Sequence, residues 1–109
     1  MMSKHWKDPI HPGEILADEL EEIGVNANEL AKRLGIPHGR IYEILREERA
    51  ITASTALRLG KFFNINPEFW LNLQKKYDLE VAEKKEAKKL KSIKPLKIKK
   101  SKVLEEMRA

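Results

Sequence analysis

The chain has 109 residues, of which 41% are hydrophobic and 36% are charged, and it contains no cysteine. This length suits a single domain with a modest helical core, and it is too short for a two-layer enzyme with a deep cleft. The lack of cysteine excludes disulfides and thiolate metal sites. No run of about 18 apolar residues is present to span a membrane and no signal peptide is visible, so we expect a cytoplasmic protein.

The net charge of +5 is distributed unevenly along the chain. Residues 1–79 hold 11 Lys+Arg against 12 Asp+Glu, whereas residues 80–109 hold 11 against 5. Any binding of nucleic acid by the first part therefore requires a local basic face. We divide the chain into an N-terminal segment (1–11), a helical domain (12–79) and a Lys-rich C-terminal extension (80–109), partly helical or disordered.

The first helix is predicted to run from Pro12 to Gly24. Its apolar positions form one buried stripe, Ile15, Leu16, Leu20 and Ile23. Its outer face is strongly acidic, with Glu14, Asp18, Glu19, Glu21 and Glu22. Such a face is a plausible docking surface for a basic protein partner, and an ordinary solvated helix face is the alternative. The second helix begins near Asn26 or Asn28, since either side chain can cap it.

Residues 27–45, ANELAKRLGIPHGRIYEIL, have the pattern of a helix, a tight turn and a second helix. Gly35 suits the end of the first of these helices because glycine adopts the left-handed conformation without a Cβ penalty. Pro37 makes the corner, and the next helix is predicted from about His38 to Arg46. This arrangement is a helix-turn-helix, whose DNA-binding form places the second helix in the major groove. An ordinary helical hairpin is the alternative.

Thr52 is predicted to cap a fourth helix that runs to Phe63 and ends at a left-handed Asn64. Asn66 and Pro67 begin a fifth helix. The apolar face of the fifth helix carries more aromatic bulk than so small a core needs, and its members are Phe69, Trp70, Leu73 and Tyr77. We expect this face to close a dimer interface, with packing inside the core as the alternative.

The fifth helix can continue from Asp78 to Leu90, because this stretch is rich in helix-forming residues. Pro95 stops it. Apolar and basic residues then alternate around Leu96 and Ile98, which leaves open a strand that forms on a partner's sheet edge or disorder in isolation. We hypothesise that the extension adds phosphate contacts or wraps a partner.

Four segments in this order resemble a known family, namely HPGEIL at 11–16, the helix-turn-helix, ITASTALRLGKFF at 51–63 and NPEFWLNLQKKYDL at 66–79. They are similar to the HigA-type antitoxins, also called virulence-associated protein I, of the lambda-repressor-like, Xre-type helix-turn-helix group. The resemblance implies an all-α, five-helix domain that binds double-stranded DNA as a homodimer at an inverted-repeat operator in its own promoter. It also implies that the chain neutralises a HigB-type toxin, an mRNA endonuclease. An Xre-type regulator without a toxin is the alternative.

The resemblance also assigns roles to individual residues. Base-edge contacts fall to His38, Gly39, Arg40 and Glu43. Backbone contacts fall to Tyr42, Arg46, Arg49, Asn28 and Lys32. The chemistry is suitable, since an arginine pairs bidentately with guanine and a glutamate accepts from cytosine N4, while hydroxyl groups and cations suit phosphate.

Two positions depart from the family pattern. Pro37 stands where members tend to have a Ser or Thr cap, and the loss of a cap typically costs ~1 kcal/mol. Gly39 lies in the first turn and costs a further ~1 kcal/mol relative to Ala. We therefore expect the front of this helix to be loosely ordered without DNA, and Gly39 to let the backbone approach the duplex closely.

An enzyme is not expected. The histidines are His5, His11 and His38, and none stands at metal-ligand spacing with another. The sequence has no Gly-rich phosphate loop and no nucleophile motif, so we predict no cofactor and no metal. A non-specific nucleic-acid binder driven by the extension is a further alternative, which would bind promoter and scrambled DNA equally.

Overall fold

The computed structural model describes residues 8–97 and 102–108, and these residues form six α-helices without a β-strand. The helices are α1 (Pro12–Ile23), α2 (Ala27–Leu34), α3 (His38–Leu45), α4 (Ala53–Phe63), α5 (Glu68–Ser92) and α6 (Lys102–Arg108). The first five pack as one bundle, in which α3 contacts α1 and α2 while α5 contacts α4 and α1. The predicted all-α fold is confirmed. Leu96, which the sequence leaves open to form a strand on a partner, is exposed and without regular structure here, and Ile98 lies outside the described residues.

The helix ends follow from local capping. The Oδ1 atom of Asn26 accepts a hydrogen bond from the backbone of Glu29 at 2.8 Å, so Asn26 and not Asn28 caps α2. Thr52 caps α4 through its side chain, and Asn64 ends α4 with φ 58°. The side chain of Asn66 accepts from the second backbone N–H after it, at 2.9 Å. These ends match the sequence predictions because each is set by one or two neighbouring residues.

The core lies where α1 to α5 meet. Its largest side chains are at most 1% exposed, and they include Leu16, Leu30, Ile41, Ile44, Leu59 and Trp70. Removing each such side chain from water stabilises the fold by about 1.5–3 kcal/mol. Ile23 departs from the predicted stripe of α1, since it is 48% exposed. It shares a face with Leu16 and Leu20 but is the last residue of α1.

α5 has a packed first half and a solvated second half. Trp70 and Gln74 are buried, whereas Leu79 and Leu90 are 59% and 46% exposed. The helix is kinked at Glu86, whose φ of −112° and ψ of 17° are not helical. The predicted continuation of this helix is confirmed, and it reaches Ser92. No helix in the described ranges is both long enough and apolar enough to cross a bilayer.

Candidate nucleic-acid interface

The turn between α2 and α3 is held by backbone geometry and by one arginine. Gly35 has φ 71° and its N–H donates to the Lys32 carbonyl at 3.2 Å. Pro37 then begins α3 without a side-chain cap, as the sequence indicates. Arg58 of α4 donates from Nη1 to the carbonyl oxygen of Leu34 at 2.6 Å. This hydrogen bond satisfies a terminal carbonyl of α2 and ties the turn to α4.

The sequence HPG at residues 11–13, at the start of α1, contacts the C-terminal end of α3. His11 caps α1, because its Nδ1 accepts from the Gly13 backbone at 2.8 Å. The His11 ring also meets Tyr77 of α5 edge-on, with ring centroids 4.8 Å apart. A Cβ at Gly13 would lie only 1.9 Å from the carbonyl oxygen of Ile44. The start of α1 therefore touches the backbone at the end of α3, and only glycine fits there.

The predicted DNA-binding residues reach the surface together. Eight are exposed, namely Asn28, Lys32, His38, Gly39, Arg40, Tyr42, Arg46 and Arg49, and Glu43 is half-buried. The opposite face of α3 buries Ile41 and Ile44 completely. A shallow groove of about 370 Å³ at the junction of α2 and α3 is lined by Asn28, Lys32 and His38, among others. The structure thus joins residues of the two helices into one continuous face.

Two arginines of this face are paired with carboxylates. Arg49 Nε lies 2.6 Å from Glu43 Oε1, and Arg46 Nε lies 3.4 Å from Glu48 Oε1. The arginine side chains are 47% and 60% exposed, so each pair contributes at most about 1 kcal/mol and a phosphate can displace the carboxylate. The pairing of Glu43 with Arg49 couples a predicted base contact to a predicted backbone contact, which the sequence did not indicate.

The segment that follows α3 turns at Glu47. This residue has φ 65°, a left-handed conformation that costs a residue with a Cβ about 1–2 kcal/mol. The turn lets the N–H of Glu48 donate to the carbonyl of Glu43 at 2.8 Å.

The buried side chain of Gln74 anchors the same segment to α5. Its Oε1 accepts from the backbone N–H of Ile51 at 2.7 Å, and its Nε2 donates to Asp78 at 2.9 Å. Sequence reasoning missed Gln74, because a glutamine within an apolar face gives no signal for a partner 23 positions away.

Most of the side chains predicted to form the dimer face make contacts within one chain. Trp70 is 1% exposed and its ring lies 5.7 Å from that of Phe63, so its side chain is covered within one chain. Its indole fills the junction of the helices, as the alternative of core packing stated. Leu73 packs against the core and Tyr77 contacts His11. Phe69 is the one exposed member of the four, at 45%.

The exposed face of α3 offers guanidinium, imidazole, phenol and carboxylate groups on a convex helix, which suits binding in a groove of DNA. Its support by α2, by the start of α1 and by α4 is that of a helix-turn-helix within a five-helix bundle. Fold and site together define a lambda-repressor-like DNA-binding domain. The helix-turn-helix family profile matches residues 16–70.

Similar proteins narrow the class further. Over 73% of this chain and 75% of the relative, the sequence is 51% identical to virulence-associated protein I of Dichelobacter nodosus. An addiction module antidote protein of a HigA family from Coxiella burnetii is 56% identical, with a TM-score of 0.79 over 82% of this chain and 99% of that chain. Pseudomonas aeruginosa antitoxin HigA, solved with the higBA promoter, is 42% identical, with a TM-score of 0.78 over 81% and 98%. The chain belongs to the HigA-type antitoxins, a family of DNA-binding regulators and not of enzymes.

Proposed function

We propose that this chain is the antitoxin of a type II toxin–antitoxin module. It represses its own operon as a DNA-binding homodimer, and it binds and neutralises a HigB-type mRNA endonuclease in the cytoplasm. The observation that carries the proposal is the continuous exposed face of α2 and α3, in a fold that a solved relative shares while bound to promoter DNA. An Xre-type regulator without a toxin is the alternative.

The residues of α3 divide between reading bases and holding phosphates. Arg40 pairs with O6 and N7 of guanine, and Glu43 accepts from N4 of cytosine. His38, whose ring lies 6.1 Å from that of Tyr42, donates or accepts at a purine edge. The other contacts go to the phosphate backbone and orient α3 in the groove, and they come from Tyr42, Arg46, Arg49, Asn28 and Lys32.

Gly39 contributes space and not a side chain. A Cβ at this position would meet no atom within 4 Å, so nothing within the described chain requires a glycine. The glycine therefore lowers the stability of α3 by ~1 kcal/mol relative to alanine, and no contact within the described chain compensates for this loss. We propose that Gly39 allows the backbone of α3 to approach the duplex closely.

The homodimer places two copies of α3 about 34 Å apart, facing successive major grooves of an inverted repeat. Because Trp70 is buried within the chain and Tyr77 is half-buried against His11, we assign the contact to the outer face of α5. One shallow apolar groove there is lined by Leu79, Ala82, Glu83, Glu86 and Leu90. The half of α5 that carries it extends beyond the bundle, and a second copy would cover its leucines.

The dimer contact is tested by Leu79→Glu, with Leu57→Glu on α4 as the control. Both leucines are 59% exposed, so the two variants place a charge at equally accessible positions. We expect Leu79→Glu to give a monomer by light scattering and to lose operator affinity, and Leu57→Glu to remain a dimer. A dimer in both variants would move the interface elsewhere.

The function is tested by expressing the chain together with the product of the adjacent small reading frame. We expect the pair to co-purify, and we expect growth to stop only when this chain is absent. A separate assay compares affinity for its own promoter with affinity for scrambled DNA. Specific promoter binding without a complex and without toxicity would establish the regulator alternative. Equal affinity for both DNAs would contradict operator recognition.

A further inference from the structure

An apolar groove lies between α1 and the beginning of α5, formed by residues that take no part in the DNA face. Its volume is about 340 Å³ and it is lined by Ile15, Glu19, Phe63, Ile65, Phe69 and Trp70. Phe69 and Ile65 are 45% and 40% exposed. Trp70 belongs to its lining, and the buried indole Nε1 has no hydrogen-bond acceptor among the described residues. The groove thus offers apolar area that the described residues do not cover.

The rim of the groove on α1 is acidic. Glu19 lines the groove, and Asp18 and Glu22 lie on the same face of α1. All three are exposed, and none forms an ion pair with a described residue. α1 itself contains no Lys or Arg. Asp18 and Glu22 are four residues apart on one face, a spacing at which like charges destabilise a helix. Glu21 and Glu22 also lie at the C-terminal end of α1, where the helix dipole disfavours anions.

The negative charge of the rim indicates which kind of partner can bind in the groove. A second copy in a two-fold contact would present the same surface, which brings the carboxylates of both α1 helices together. Like charges opposed in this way cost several kcal/mol, so self-association through this groove is disfavoured. A nucleic acid is repelled for the same reason. A basic protein segment would instead place its cations against the carboxylates and relieve the repulsion within α1.

We propose that the groove between α1 and α5 is the docking site for the toxin. It receives a segment that presents an apolar side chain to Phe69 and Ile65 and Lys or Arg to Glu19 and Glu22. This inference rests on the proposed antitoxin function and names the surface that performs it. It leaves the DNA face of α3 open, so the toxin-bound chain remains able to contact its operator.

The test uses the full-length chain and, as the probe, the toxin encoded by the adjacent reading frame. Glu19→Lys with Glu22→Lys reverses the rim, and Phe69→Ser removes apolar area from the groove. Glu105→Lys with Glu106→Lys on α6 makes the same change in charge at exposed positions elsewhere. We expect both groove variants to bind the toxin at least tenfold more weakly than the unaltered chain, and the α6 variant to bind it as before.

Two further readouts separate docking from folding. The rim variant should have a melting temperature no lower than that of the unaltered chain, because the repulsion within α1 is removed. Both groove variants should remain dimers and retain operator affinity. Unchanged toxin binding by both groove variants would overturn this assignment and leave the antitoxin function standing. If the Phe69→Ser variant is a monomer, the groove is the contact with a second copy and not with the toxin. No binding by the unaltered chain would contradict the proposed function itself.

Discussion

Gly13→Ala tests how the start of α1 positions α3. The added Cβ would lie 1.9 Å from the carbonyl oxygen of Ile44 and 2.9 Å from its carbonyl carbon. An ordinary contact is about 3.5 Å, so the two helices must separate by roughly 1.5 Å. Overpacking of this kind costs about 1–3 kcal/mol. The added Cβ meets backbone atoms, which cannot rotate away as a side chain can, so we expect an overpacking cost of about 2–3 kcal/mol. Up to ~1 kcal/mol is offset by the better helix propensity of alanine.

The expected net loss is therefore about 1–3 kcal/mol in the free energy of unfolding. For a domain of this size it lowers the melting temperature by about 4–8 °C for each kcal/mol. Thermal and urea unfolding measure the loss, with Gly39→Ala as the matched control because its Cβ meets no atom within 4 Å. Operator affinity should fall as well, since the end of α3 is displaced. A Gly13→Ala variant as stable as the unaltered chain, with unchanged operator affinity, would refute the role given to this contact.

Three further predictions concern the DNA face and the extension. Gly39→Ala should stabilise the free chain by ~1 kcal/mol and weaken operator binding, whereas unchanged binding would show that the backbone does not approach the duplex closely. Arg40→Ala should lose about 1–3 kcal/mol of discrimination at one base pair in each half-site, and an equal loss on all DNA sequences would reassign Arg40 to phosphate. Truncation after Ser92 should reduce the salt dependence of DNA affinity by roughly 0.9 in slope for each lost phosphate contact. An unchanged slope would remove residues 93–109 from the DNA interface.

The helices and their ends were predictable because their signals are local. Asn26, Thr52, Asn64 and Asn66 each act on a backbone group within a few residues. The exposed face of α3 was predictable for a similar reason, since the helical period that buries Ile41 and Ile44 turns the intervening residues outward.

Contacts between elements were not predictable from the sequence. The hydrogen bond from Arg58 to Leu34 spans 24 positions, and no spacing rule connects them. The contact of Gly13 with Ile44 depends on two backbones meeting, which only packed helices show. The burial of Trp70 within one chain was not predictable either, because an apolar stripe shows that a face is covered without showing which molecule covers it.

In the proposed dimer, the hydrogen bonds of Gln74 bear on the spacing of the operator half-sites. Its one amide group holds both Ile51, in the segment that carries Arg46 and Arg49, and Asp78 on α5. In the proposed dimer, this attachment ties the position of α3 to α5. The arrangement of the two α5 helices therefore sets the distance between the two α3 helices. An operator with one extra base pair between its half-sites would be displaced by about 3.4 Å and rotated by about 34°. We therefore expect the spacing of the half-sites to be recognised as strictly as their sequence.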